Sequence, residues 1–214
     1  MHRLPSYLLT FIRSRLPLVP VPFVPEIHLH KAGPKSGLWQ LAEKDEAFGA
    51  PYWAHYWGGG LALARHILDH PGTVAGQRVL DLGAGSGIVG IAAAKSGANQ
   101  VIAADIDRYA IAATRLNAKA NGVAVATVCG DLLAELPPAV DVVLVGDLFY
   151  EEELAARVTA FLDGCLRAKI AVLVGDPLRA FLPLARLRLL AAYNGTDFGL
   201  GGEPSTSAVF AFGA

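Results

Sequence analysis

From about Leu61 onward the chain alternates between two patterns: short runs rich in β-branched residues and longer Ala- and Leu-rich stretches with helical spacing. That alternation predicts βα units and a mainly parallel sheet. Gly59 to His70 reads as a helix closed by Pro71-Gly72, Arg78 to Leu82 as a strand, and Ile88 to Ser96 as a helix with its stop at Gly97. Gln100 to Ala104, Val123 to Val128, Val140 to Val145 and Ile170 to Val174 are four more strands. Between them run the helices Tyr109 to Ala120, ended by Asn121-Gly122, and Glu152 to Leu166, whose first turn carries acidic residues that suit the helix dipole. After that the period changes. Leu187 to Ala192 and Ser207 to Phe212 read as two strands joined by a Gly-rich connection, an antiparallel end to the sheet. The expected class is α/β, a seven-stranded, mostly parallel sheet with an antiparallel C-terminal strand and helices on both faces.

Composition sharpens this picture. Hydrophobic residues make up 53% of the 214 and charged residues 17%, which suits strands covered on both faces and argues against disorder. Asp141, Asp147 and Asp176 interrupt the most apolar region, so no stretch reaches the roughly 20 residues of a membrane helix. The formal net charge of -1, with neither sign gathered in a block, lacks the basic footprint of a nucleic-acid binder. Cys129 and Cys165 lie in apolar contexts that suggest buried, reduced thiols, and a monomeric, cytoplasmic protein is expected.

Residues 1–50 read as an N-terminal arm packing on a domain of residues 51–214. Arg3, Arg13 and Arg15 precede the first acidic residue, Glu26, as in a transit peptide. Pro5, Pro17, Pro20, Pro22 and Pro25 interrupt an amphipathic helix there, and a retained arm is the expectation. His28 with His30, and His66 with His70, have spacings that could share a metal, but no third ligand accompanies either pair and no metal site is expected.

The segment with the most chemistry is Val79-Leu80-Asp81-Leu82-Gly83-Ala84-Gly85-Ser86-Gly87, a buried strand running into a glycine turn and a helix. Glycines permit the tight turn and close approach of a ligand to backbone, and the helix start offers unpaired N–H groups. A dinucleotide fingerprint would put a small residue at position 88, where Ile88 stands, and the third glycine comes one residue early at Gly87. Asp105 ends the second strand about 20 residues beyond the turn, where a carboxylate can accept from both hydroxyls of a ribose. Asp81 and Asp131 stand at neighbouring strand ends. Helix capping is the plainer role for Asp105 and Asp131.

On these residues the chain resembles the seven-β-strand, Rossmann-like methyltransferases. Pro51-Tyr52-Trp53-Ala54-His55-Tyr56-Trp57-Gly58-Gly59-Gly60, Gly146-Asp147-Leu148-Phe149-Tyr150-Glu151-Glu152-Glu153-Leu154-Ala155 and Gly175-Asp176-Pro177 are similar, more narrowly, to the lysine methyltransferases of the electron transfer flavoprotein β subunit. The likeness runs from Pro25-Glu26-Ile27 to Thr206-Ser207-Ala208-Val209-Phe210. Gly58, Leu61 and Leu178 depart from it, standing where proline, glutamine and glycine are usual.

The resemblance implies S-adenosylmethionine as cofactor, held by Trp57, Gly59, Asp81, Gly83, Gly85, Gly87, Asp105, Ile106, Asp131 and Leu132. It also implies catalytic roles for Asp147, which would orient a lysine ε-amine, and for Phe149 and Tyr150, which would shape its channel. Methyl transfer to nitrogen is an in-line displacement that needs a neutral amine about 3 Å from the methyl carbon. An apolar, aromatic wall favours that neutral form, and aromatic faces can hold a methylated ammonium. The Asp147 to Tyr150 stretch falls at the carboxyl end of its strand, the edge where open α/β sheets bind ligands and where the glycine turn also lies. The implied partner is the flavoprotein β subunit. A small-molecule N-methyltransferase and an NAD-dependent oxidoreductase are the alternatives.

Overall fold

The structure is a computed structural model that describes residues 6–33, 35–196 and 204–213. Arg3, Pro5 and the Gly-rich connection between the last two strands lie outside the described residues. The chain begins with α1 (Ser6–Arg15) and a hairpin, β1 (Leu18–Val21) and β2 (Val24–His30), followed by α2 (Leu38–Lys44) and α3 (Gly58–Asp69). Then β3 (Arg78–Leu82), α4 (Ile88–Lys95), β4 (Gln100–Asp105), α5 (Arg108–Ala120) and β5 (Ala126–Cys129) alternate. The chain continues through β6 (Val142–Gly146), α6 (Glu152–Arg167), β7 (Ala171–Asp176), β8 (Leu187–Thr196) and β9 (Pro204–Phe212).

The main sheet has the order β5-β4-β3-β6-β7-β9-β8. Strands β3 to β7 pair in parallel, whereas β9 runs antiparallel to both β7 and β8. Because successive side chains of a strand point to opposite faces, the apolar runs feed two cores. Val79, Val142 and Leu144 join the side chains of α3 and α4 on one face, and Leu80, Val143 and Val145 join those of α6 on the other. Winding leaves β3 in one direction toward β4 and β5 and in the other toward β6 and β7. A crevice therefore opens at the carboxyl ends of β3 and β6, where the order reverses.

Helix starts follow local chemistry. The Asp107 side chain accepts the N–H of Tyr109 at 2.7 Å and caps α5. Glu152 and Glu153 lie in the first turn of α6.

Three expectations need correction. The N-terminal prolines do not exclude a helix: α1 ends at Arg15, before Pro17, and buries Leu8 and Ile12 in a third apolar cluster with Ala110 and Ala113 of α5. The fifth strand starts at Ala126 rather than Val123, because Val123 still donates its N–H to Ala118 as the chain leaves α5. Cys165 is buried but Cys129 is exposed, since β5 is the edge strand and its burial pattern is weak. Beyond α1, the arm is latched by asparagine amides: Asn121 and Asn117 accept the backbone N–H groups of His28 and His30 at 3.0 and 2.8 Å. Among the described residues no helix is long and apolar enough to cross a membrane.

Candidate active site

The glycine turn connects β3 to α4 with left-handed φ at Gly83, Gly85 and Gly87 (68°, 52° and 80°). Space as well as torsion excludes side chains here. A β-carbon on Gly83 would come within 2.7 Å of the Leu148 side chain, and one on Gly87 within 2.8 Å of Thr114. The turn is fastened on all sides. The N–H groups of Gly83 and Ala84 donate to the carbonyl of Ala104, Thr114 Oγ1 donates to the Gly85 carbonyl, and Asn117 Nδ2 donates to the Ser86 carbonyl.

Asp105 completes that fastening. Its Oδ2 accepts the Gly85 N–H and its Oδ1 the Asp107 N–H, both at 2.9 Å. Burial pushes its carboxyl above the ordinary carboxylate range, against the pull of these N–H donors. Two residues on, Asp107 faces the same space, and burial pushes it up to about 6. Asp131 has a plainer bonding pattern: its Oδ1 accepts the Leu133 N–H at 3.0 Å, capping the short turn after β5, and its Oδ2 pairs with Arg157. The Arg157 hydrogen bond holds its carboxyl below the usual value.

On the β6 side, Asp147 adopts a left-handed φ of 59°, rare for a residue with a side chain. Its Oδ2 accepts the Gly60 N–H at 2.7 Å, and its Oδ1 lies 2.8 Å from Nη2 of Arg179. Burial raises this carboxyl, while the charge of Arg179 and the Gly60 N–H oppose the rise. The Arg179 guanidinium also sits 5.8 Å from the centre of the Trp57 ring. Trp57 donates its indole N–H to the Tyr52 carbonyl at 3.0 Å, and the Tyr52 ring lies between those of Trp57 and Tyr150, at 5.5 and 6.2 Å.

These groups open on one cleft of about 700 Å³ along the carboxyl ends of β3, β4 and β6 and the loop after β5. Trp57, Gly83, Gly85, Asp105, Ile106, Asp131, Leu132, Asp147 and Tyr150 line it. Four of the residues named from the sequence do not. Asp81 is buried behind the turn, where its Oδ2 accepts the Gly90 N–H of α4 at 2.8 Å and burial pushes its carboxyl up to about 7. Gly59 packs its backbone against Gly175, and Gly87 packs on Thr114. Phe149 is fully buried in the core beneath α6, so it does not wall a channel. The residue after Asp147 in left-handed backbone, Leu148, faces the cleft in its place.

Reading the sequence missed Phe48, Tyr52, Trp53, Asp107 and Arg179, all of which line the cleft. Asp107 had a local signal, a second carboxylate two residues after Asp105 that also caps a helix. Tyr52 and Trp53 stood in the stretch that carries the family resemblance but were given no site role, and Phe48 had no local signal, because it reaches the cleft from the connection between α2 and α3. Of the histidine pairs, His66 stacks on His70, and its Nδ1 lies 2.9 Å from the Tyr193 hydroxyl.

Comparison with known proteins matches residues 64–148 to the family described as ribosomal protein L11 methyltransferase (PrmA). A solved structure of magnesium protoporphyrin IX methyltransferase from Synechocystis PCC 6803, with bound SAM, superposes with a TM-score of 0.54 at 19% identity, over 73% of this chain and 80% of that one. The fold is thus that of the Rossmann-like methyltransferases. The electron transfer flavoprotein beta subunit lysine methyltransferase of Danio rerio is 42% identical over 158 residues, 73% of this chain and 61% of that protein. Its namesake in Xenopus laevis is 38% identical over 194 residues, 88% of this chain and 79% of that protein. The chain belongs to the family of electron transfer flavoprotein β subunit lysine methyltransferases. Its match spans 61% of the length of the Danio rerio relative.

Proposed function

We propose that this chain is a protein-lysine N-methyltransferase that takes its methyl group from S-adenosylmethionine and acts on the β subunit of electron transfer flavoprotein. One observation carries the reading: the glycine turn with Asp105 and the Asp147–Tyr150 strand end open on the same cleft. That cleft has the volume for a nucleoside joined to an amino acid and a lysine side chain beside it. Family membership supports the lysine and the flavoprotein subunit as substrate.

The residues present fit the cofactor. Gly83 and Gly85 offer backbone without a side chain, so a ligand can lie directly against the turn. Asp105 would hold ribose hydroxyls, because its carboxylate oxygens keep acceptor capacity beyond the backbone N–H groups they already take. Asp105 and Asp107 bring carboxyl groups to the cleft, which suits a sulfonium and an α-ammonium group. Phe48, Trp53 and Leu133 supply the apolar wall a purine needs. When bound, S-adenosylmethionine supplies an electrophilic methyl group on a positively charged sulfur.

The chain's own residues then have three tasks. Tyr52, Trp57 and Tyr150 form an aromatic wall that strips water from an entering amine and favours its neutral form. Asp147 accepts a hydrogen bond from that amine and so aims its lone pair. Ring faces beside the amine stabilise the methylated, cationic product.

The proposal extends to a monomeric, cytoplasmic enzyme in which residues 1–50 form an arm on a catalytic unit of residues 51–214. Two free cysteines are compatible with a reducing compartment, and packing of α1 and β2 against α5 supports the arm. The near-neutral charge speaks for a protein rather than a nucleic-acid substrate. The test is to incubate the chain with labelled S-adenosylmethionine and the flavoprotein β subunit, then locate methyl groups by mass spectrometry. Label on a lysine is the expected result. Label only on an added free amine would move the assignment to a small-molecule N-methyltransferase, and calorimetric preference for NAD over S-adenosylhomocysteine would overturn it altogether.

A further inference from the structure

Arg179 follows β7 and is held at its base: its backbone N–H donates to Oδ1 of Asp176 at 2.7 Å. From there its guanidinium reaches Asp147 at the end of the neighbouring strand β6, at 2.8 Å, and lies against the Trp57 ring. The two charged side chains are only 20% and 9% exposed, so solvent and salt screen this pair far less than a surface pair. Three groups thus fix the mouth: Gly60 holds one oxygen of Asp147, Arg179 the other, and Trp57 backs the guanidinium.

The chemistry of the substrate gives this arrangement a consequence. A lysine amine in water is an ammonium, with a reference pKa of about 10.4, and an ammonium has no lone pair to attack with. A lone buried carboxylate beside it would deepen the problem, because an opposite charge favours the charged form. A guanidinium bonded to that carboxylate cancels the charge and cannot itself lose its proton, yet it leaves lone pairs on the carboxylate to accept from a neutral amine.

We propose that Arg179 is a positioning residue of the substrate mouth: it clamps the Asp147 carboxylate and keeps the mouth from holding the arriving amine as ammonium. The inference rests on the lysine methyltransferase reading and deepens it. Of the other titratable groups, Asp176 from the end of β7 faces both members of the pair, and Tyr150 from the β6–α6 connection faces Arg179 and is itself faced by Tyr52, Glu151 and Asp105. Asp176 adds a second negative charge near Asp147, so the mouth would be strongly cation-stabilising without Arg179.

The test compares single-turnover methyl transfer to the flavoprotein β subunit by the wild type, Arg179→Gln and Arg179→Lys across pH. For Arg179→Gln the acid limb of the rate profile is expected to move up by roughly one pH unit, which is about a tenfold loss on that limb. The loss should shrink as pH rises above the shifted limb, and KM should move less than the rate. Arg179→Lys, which keeps the charge, should hold the wild-type limb to within roughly 0.3 unit. An independent readout needs no cofactor: in the free protein the Asp147 carboxyl carbon, followed by NMR, should titrate at higher pH in Arg179→Gln and stay near its wild-type position in Arg179→Lys. A rate loss equal at every pH, an unshifted limb, or an unmoved Asp147 titration would overturn the role of Arg179 while leaving the enzyme reading intact. A wild type that labels no lysine would sink that reading and this inference together.

Discussion

The backbones of Gly59 in α3 and Gly175 in β7 meet so closely that a β-carbon added to either would overlap the other's carbonyl oxygen. This contact seats α3 on the sheet and brings the Gly60 N–H onto Asp147. A methyl group at either position therefore has to push a helix off a strand. Gly59→Ala and Gly175→Ala should each lower stability by about 1–3 kcal/mol or more, the cost of overpacking. Gly72→Ala, with nothing within 4 Å of its added carbon, should stay within roughly 0.5 kcal/mol of the wild type. Urea unfolding of the three variants checks the contrast.

Phe149 and Tyr150 are adjacent, but they belong to different parts of the molecule. Phe149 is fully buried in the core under α6, and Tyr150 stands at the cleft with about half its surface exposed at 47%. Phe149→Ala should cost about 3–5 kcal/mol of stability. Tyr150→Ala should change stability by less than roughly 1 kcal/mol, yet lower kcat/KM for the protein lysine. Paired unfolding and rate measurements on both variants would contradict this account if Tyr150→Ala unfolded the protein and Phe149→Ala did not.

Asp105 ties the glycine turn to the start of α5 through two backbone N–H groups. An amide at this position would present an N–H to one of those donors. Asp105→Asn should weaken S-adenosylhomocysteine binding at least tenfold, because hydrogen bonds to a charged group contribute about 1.5–3 kcal/mol each. Calorimetry measures it; unchanged affinity would remove Asp105 from the cofactor site.

Asp81 carries a stability signature with a definite sign. Burial raises its carboxyl from an ordinary value of 3.8 to about 7 in the folded protein. A raised folded value means the folded state binds the proton more tightly, so its contribution is fully present below about pH 4 and is lost as pH rises through about 7. Asparagine at this position cannot ionise. The stability of Asp81→Asn relative to the wild type should therefore climb between pH 4 and pH 7 and level off above. Urea midpoints taken across that range test it, and a flat difference would mean that Asp81 titrates normally.

The strand and helix order was legible because it depends on near neighbours. Alternation at period two and helical spacing are properties of consecutive side chains, and every strand from β3 to β9 was anticipated with shifts of a few residues at its ends. The glycine turn was legible for the same reason: its left-handed φ values are demanded by a strand that must enter a helix within five residues. Asp131 illustrates the limit. Its place at a strand end was readable, whereas its partner Arg157 lies in α6, 26 residues away.

What the amino-acid order determined by itself was therefore the parallel α/β architecture, the turn after β3, and the set of acidic and aromatic residues delivered to one edge of the sheet. Tertiary structure alone decided which of those residues face the cleft and what each one touches. Phe149 turns inward and Leu148 outward because Asp147 takes a left-handed bend that no local pattern announces. Asp147 finds Gly60 and Arg179 across separations of 87 and 32 residues. Such contacts arise only where strand ends converge, and there the packing of α3 on β7 fixes which donors a buried carboxylate meets.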